Sequence, residues 1–148
     1  MRETAITYRP IGVIRSEHDA AEETPIQPAA EVFPEFASGL RDLEGFSHVY
    51  LIYHFPQAGA PKLLVKPFLQ DMERGVFATR APSRANAVGL TIVELVRRDG
   101  VDILDGTPLL DIKPYTAKFD RFETARNGWD ELDEETARRR GRRGYTSP

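Results

Sequence analysis

The chain contains no cysteine, which excludes disulfides and thiolate chemistry. Histidine is scarce, with three residues of which two, His48 and His54, fall in one segment, so no zinc or other metal centre is expected. No run approaches the roughly 20 apolar residues of a membrane span. The start, MRETAITYRP, lacks the apolar core of a secretion signal. A cytoplasmic protein with no membrane partner is therefore the expectation. Also missing are alternating strand and helix patterns and any GxGxxG after a strand, so a Rossmann-type doubly wound sheet is not expected.

What is present is ordinary in bulk. The chain has 148 residues, 41% hydrophobic and 29% charged, which suits a single soluble core. The net charge of −3 conceals an uneven distribution. Glu17, Asp19, Glu22, Glu23, Glu31, Glu35, Asp42 and Glu44 face only one nearby cation, Arg41. At the other end Arg138, Arg139, Arg140, Arg142 and Arg143 crowd together, and such a patch can bind phosphate whatever the total charge. The expected organisation is a β domain over residues 1–128 followed by a helical, arginine-rich tail over 129–148.

Residues 6–16 (ITYRPIGVIRS) are rich in β-branched and apolar side chains and predict an opening strand, with Pro10 at an edge or bulge. Residues 18–28 predict a loop. A short strand over 30–33 and a short helix over 34–40, with Pro34 in its first turn, follow. FSHVYLIYHF, residues 46–55, is the most apolar run and predicts a central strand. Further strands are expected at 63–66, 75–79 and 88–96. Asp99-Gly100 signals a hairpin into 101–104. Trp129, Leu132, Thr136 and Arg140 have helical spacing. Many short strands with few long helices predict a mainly β domain, a small barrel.

Two stretches carry the functional signal. In DILDGTPLLDIKPY (102–115), Asp102, Asp105 and Asp111 lie among aliphatic residues, with Gly106-Thr107-Pro108 reading as a turn. Carboxylates in such surroundings must be paired or functional, so the stretch is either a turn whose aspartates bind backbone N–H groups or a ligand site. In GVFATRAPSRANAVGLT (75–91), Arg80 and Arg84 present planar donors suited to carboxylate or phosphate, to a ligand or to those aspartates. His48 reads as a core or barrel-end histidine, and Phe46, Tyr50, Tyr53 and Phe55 read as core rather than as a base-stacking platform.

VFPEFASGLRDLEGFSHVYLIYHF, GVFATRAPSRANAVGLTIVEL and DILDGTPLLDIKPY, in this order, resemble the TsaA-like (TrmO-type) family of S-adenosylmethionine-dependent methyltransferases, over about residues 10–120. The resemblance implies a small β-barrel, homodimers, and N6-methylation of threonylcarbamoyladenosine next to the tRNA anticodon. It implies cofactor contacts from Pro25, Ile26 and Gln27, from Gln57, from Arg80 and Leu90, and from Asp102, Ile103, Leu104 and Asp105. A proton acceptor is needed, and Asp105, Lys113 and Tyr115 are the candidates. Arg84 and the Arg138, Arg139, Arg140, Arg142, Arg143 cluster are the expected RNA contacts, with Arg41 and Lys118 as further candidates. The chain departs from the family at Ala81, Ala85 and Ala87, which replace a serine and two prolines, at Ile26, which replaces an arginine, and at Pro56, where histidine is common. Losing the prolines loosens the loop unless other contacts hold it. A relative using the same cofactor on another acceptor, or a non-catalytic module binding cofactor or RNA, are the alternatives.

Overall fold

The computed structural model describes residues 4–15, 29–67, 70–95, 105–124, 126 and 128–130. A five-stranded antiparallel sheet dominates, in the order β2-β1-β7-β3-β6. Its strands are β1 (Gly12–Arg15), β2 (Ala29–Val32), β3 (His48–His54), β6 (Val88–Glu94) and β7 (Thr107–Pro114). A separate pair, β4 (Leu64–Val65) and β5 (Arg74–Gly75), and one short helix, α1 (Ala117–Asp120), complete the main elements. The mainly β class is as expected, but among the described residues the ladder is open, with β2 and β6 as edges, and the barrel does not close. No helix among these residues is long and apolar enough to cross a membrane.

Strand β7 joins the β1–β2 pair to the β3–β6 pair. The sequence reading placed Thr107 and Pro108 in a turn, whereas they begin this strand, and the turn is formed by Asp105 and Gly106. Gly106 adopts φ 77°, and its N–H donates to the Ile14 carbonyl at 2.9 Å, closing the entry to β7 against β1. Proline is tolerated at position 108 because β3–β7 pairing ends at Tyr53 opposite Leu109. The Leu109 carbonyl is taken by Ile11 on the β1 side, so the N–H that Pro108 lacks would face beyond the end of that ladder.

Alternation along β3 divides the sheet into two faces. Val49, Leu51 and Tyr53 point into the core with Ile14 and Leu109, all below a tenth exposed. Around them pack Ile11, Val32, Leu43, Phe55, Val93, Leu95 and Ile112. The opposite face carries Tyr50, Ile52 and His54, which pair across the ladder with Ile92, Leu90 and Val88 of β6. Those three β6 residues are exposed, Leu90 at 55%.

Two further expectations are corrected. Residues 76–78 were read as strand but form a 3-10 turn, because the Thr79 hydroxyl and N–H both donate to the Val76 carbonyl and bend the chain there. Of the opening strand expected over 6–16, the strand observed among the described residues is Gly12–Arg15, and Pro10, which supplies no ladder donor, stands just before it. The expected loop over 18–28, the hairpin at 99–104 and the tail helix beyond residue 130 lie outside the described residues. The tail's start is described: Gly128–Asp130 is a 3-10 turn, and the Trp129 indole N–H donates to the Ala78 carbonyl at 2.7 Å.

At the end of β3 remote from His54, Tyr50 and His48 pack their rings on Tyr115 at 5.7 and 6.1 Å. Partial burial raises the Tyr50 pKa above 10.0, helped by the charge of Asp120, by Tyr115, and by the hydrogen bond to Asp120. A raised folded-state value favours the neutral phenol, so this contribution to stability is complete below the unfolded pKa and is lost as pH rises through the folded one. Asp120→Asn is expected to bring the Tyr50 ionisation down in a spectrophotometric tyrosine titration. An unchanged titration would exclude Asp120 as a cause.

Candidate functional site

One end of the sheet gathers most of the segments singled out in the sequence. At this end β1 and β3 finish, at Arg15 and His54, and β2, β6 and β7 begin, at Ala29, Val88 and Thr107. The turn after β3 contains Gln57, the long connection into β6 contains Arg80 and Arg84, and Asp105 stands in the turn into β7. Pro25, Ile26 and Gln27 lie outside the described residues. Asp102, Ile103 and Leu104 also lie outside them, directly before Asp105.

A cavity of about 550 Å³ opens here. Its apolar wall includes Phe55, Val88, Pro108 and Leu110, and its polar rim includes His54, Arg84 and Asn86. Leu110 reaches it through a break in the ladder. Ile52 pairs with Asp111 but Tyr53 with Leu109, so Leu110 is an extra residue in β7. Such a bulge redirects side chains without interrupting the strand.

The loop over 80–87 has alanines where prolines would stiffen it, and hydrogen bonds hold it instead. Phe55 N–H donates to the Ala87 carbonyl at 2.8 Å, and Lys62 N–H to the Ser83 carbonyl at 3.1 Å. The Arg84 guanidinium donates through Nη1 to the Thr79 carbonyl at 2.9 Å and the Ala81 carbonyl at 3.4 Å. Arg84 therefore ties the loop shut while lining the cavity. Arg80 is exposed and, among the described residues, makes no hydrogen bond or ion pair.

Leu90 follows a glycine for a steric reason. A Cβ at Gly89 would lie 2.3 Å from the Tyr53 ring, which crosses β6 there. That ring is fixed by the hydrogen bond between its hydroxyl and Thr91 Oγ1 (2.9 Å) and by edge-on contact with Phe55 at 5.4 Å. The glycine admits the ring on the core side and leaves Leu90 on the open face, beside the cavity wall at Val88.

The other two proton-acceptor candidates are elsewhere. Lys113 lies six strand steps beyond Thr107, roughly 20 Å at about 3.3 Å per residue. It pairs with Asp111 at 3.0 Å on the surface, while Tyr115 packs in the ring cluster with Tyr50 and His48. Neither is brought together with Asp105. The arginines at 138, 139, 140, 142 and 143 are outside the described residues. No group of three or more acidic or histidine side chains among the described residues is arranged to hold a metal.

Sequence reasoning passed over Tyr8, His54 and Asn86, all of which line the cavity. The period-two alternation of β3 carried a signal for His54, since it shares parity with Tyr50 and Ile52 rather than with the core residues. Nothing local distinguishes Tyr8, which reaches the cavity only because β1 packs beside β7.

This geometry can be compared with known proteins. The family model for the tRNA-methyltransferase O N-terminal domain matches residues 13–121. A probable S-adenosyl-L-methionine-binding protein of Pyrococcus abyssi is 52% identical over a 139-residue alignment, covering 84% of this chain and 76% of the relative. A tRNA (adenine(37)-N6)-methyltransferase of Mus musculus is 38% identical over 133 residues, covering 75% of this chain and 31% of the relative. Among solved structures, TrmO from Pseudomonas aeruginosa superposes with a TM-score of 0.64 at 36% identity, covering 86% of this chain and 62% of that one. This small, mainly β chain belongs to the tRNA-methyltransferase O N-terminal domain family. It spans somewhat under two thirds of the solved TrmO chain.

Proposed function

We propose that this protein is an S-adenosylmethionine-dependent methyltransferase that N6-methylates threonylcarbamoyladenosine beside the anticodon of tRNA. The observation that carries this reading is the 550 Å³ cavity, lined by Arg84, at the sheet end that also holds the turns containing Gln57 and Asp105, which like Arg80 are not in its lining, in a chain of this family. The names of the mouse methyltransferase and the Pyrococcus binding protein support the reaction and the cofactor.

The cavity suits such a molecule. Its volume falls within the roughly 300–1,000 Å³ of small-molecule sites, with an apolar wall for an adenine ring and polar groups at the rim. When bound, S-adenosylmethionine supplies an electrophilic methyl on a positively charged sulfur. Arg80, free of competing partners among the described residues, binds the carboxylate of the amino-acid end. Asp102 and Asp105 favour the positive charge and the ribose hydroxyls. Pro25, Ile26, Gln27, Gln57, Ile103, Leu104 and the exposed Leu90 supply the remaining cofactor contacts.

The acylated N6 is a poor nucleophile and must give up its proton as the methyl arrives. Of the three acceptor candidates, Asp105 is the one at the cavity end, so it takes that role in this reading, while Lys113 and Tyr115 contact the substrate or pack. The walls exclude water and orient the reactants, which is worth effective molarities of about 10⁵ M or more in well-aligned systems. The tail over 129–148, with Arg138, Arg139, Arg140, Arg142 and Arg143, adds phosphate contacts. The apolar stripe of Val88, Leu90 and Ile92 on edge strand β6 supports a homodimer, with a second copy covering it. A tRNA-modifying role fits a cytoplasmic protein.

The test is to incubate the full chain with S-adenosylmethionine and tRNA carrying threonylcarbamoyladenosine, then digest and weigh the nucleosides. A gain of one methyl on that nucleoside, absent from an Arg80→Ala control, is the expected result. Cofactor binding with no methyl gain would move the reaction to another acceptor.

A further inference from the structure

Beside the cavity lies an aromatic side chain that is not part of the core. Phe77, in the 3-10 turn over Val76–Ala78, is 76% exposed, although its neighbour Val76 is 1% exposed. The chain thus anchors the turn with one residue and presents the next to solvent. Leu63, held alongside by the hydrogen bond from Val76 N–H to the Leu63 carbonyl (2.9 Å), is 74% exposed. An isolated exposed ring needs no explanation. This one has cations around it.

The Arg84 guanidinium lies 6.0 Å from the Phe77 ring centroid, within cation–π range, and Arg84 also lines the cavity. Lys62 is fixed next to the same loop by its backbone bond to Ser83, and Arg80 is three residues from Phe77. Neither Lys62 nor Arg80 makes an ion pair among the described residues. An exposed ring beside a guanidinium, with a further cation on the same loop, is the pattern that binds single-stranded nucleic acid, the ring stacking a base and the cations following phosphates.

We propose that Phe77 is a base-stacking platform for a single-stranded RNA loop, with Lys62 as its phosphate contact and Arg84 linking the platform to the cavity. This inference rests on the reading of the protein as an RNA-acting enzyme and assigns the surface that holds the RNA beside the reacting centre. The stacked nucleotide is a neighbour of the one that enters the cavity. Phe77 thereby sets the register of the loop and takes no part in chemistry.

The experiment measures tRNA binding by fluorescence anisotropy for wild type, Phe77→Ala, Phe77→Trp and Lys62→Ala, with S-adenosylmethionine binding by calorimetry on the same samples. Phe77→Ala is expected to weaken tRNA binding about tenfold with the cofactor Kd unchanged, and Phe77→Trp to restore it, since stacking needs only a flat ring. Lys62→Ala is expected to lower the slope of log Kd against log salt by about one counterion, whereas Phe77→Ala leaves that slope alone. Phe77→Ala binding within twofold of wild type would overturn the assignment and leave the enzyme reading intact. A wild type that binds no tRNA would overturn both. A Phe77→Ala variant that binds tRNA normally but changes sedimentation would place the ring at a protein contact instead. Because Phe77 is mostly in solvent, its replacement leaves the fold in place, and an unaltered melting curve checks this.

Discussion

Arg80→Ala is expected to weaken S-adenosylmethionine binding ten- to a hundredfold in calorimetry while leaving the melting temperature unchanged. A hydrogen bond to a charged group is worth about 1.5–3 kcal/mol, and each 1.4 kcal/mol is about tenfold in Kd. Arg80 is exposed and bonds nothing among the described residues, so the fold loses nothing with it. Arg84→Ala is the informative contrast. That side chain closes the 79–84 loop through the Thr79 and Ala81 carbonyls and forms part of the cavity rim. Its loss is expected to weaken cofactor binding and also to lower stability by about 1–2 kcal/mol. If Arg80→Ala bound the cofactor as wild type does, the anionic end would have to lie elsewhere, and Arg84 would become the anchor. If both variants melted alike, the loop would not depend on the guanidinium.

Gly89→Ala is expected to destabilise the protein by about 1–3 kcal/mol, read as a lower urea midpoint at unchanged slope. The added methyl would sit 2.3 and 2.5 Å from ring atoms of Tyr53 and 3.0 Å from Phe55. Tyr53 is 7% exposed, bonded to Thr91 and wedged against Phe55, so the ring has no empty volume to enter. The ring must leave its rotamer or β6 must lift from β3. Pairing the substitution with Tyr53→Leu, which removes the ring edge, is expected to recover part of the loss. A Gly89→Ala protein as stable as wild type would show that β6 moves freely at its first residues. Leu90 would then have no fixed position on the open face.

The elements legible in the sequence were those whose signal is local. The apolar run FSHVYLIYHF marked β3, observed as His48–His54, and the run beginning at Val88 marked β6, observed as Val88–Glu94. The turn at Pro34–Leu40 was bounded by its own proline and glycine. Strand β7 was not legible, because glycine, threonine, proline and three aspartates in one stretch carry the composition of a turn. What makes it a strand is pairing on both sides, with β1 and with β3, partners far away in sequence. The strand expected over 63–66 is observed as β4, Leu64–Val65, while of the strand expected over 75–79 only Gly75 is strand, paired in β5 with Leu64. The site was legible as separate segments through family resemblance, and Asp105, Gln57 and Arg80 do share a sheet end. The separation of Lys113 and Tyr115 from Asp105 was not visible, since it depends on the length and direction of a strand that had been read as a turn. His54 and Phe77 escaped for opposite reasons: one was hidden in an apolar run, the other in an apparent strand.

The position of β7 has a consequence for how the protein is made. On the ribosome the chain emerges from its N-terminus, and among the described residues β7 is the last strand to appear. Until residues 107–114 leave the exit tunnel, β1 has β2 and β3 has β6, yet no strand connects the two pairs. Ile14 and Leu51 stay on unjoined ribbons, and Leu109, the centre of their shared core, has not been synthesised or is still inside the tunnel. Two-stranded ribbons are marginal in water. The sheet therefore assembles in one late step, when Leu109 reaches both partners. Translation pauses upstream of residue 107 would prolong the interval in which apolar strand edges are open to other nascent chains.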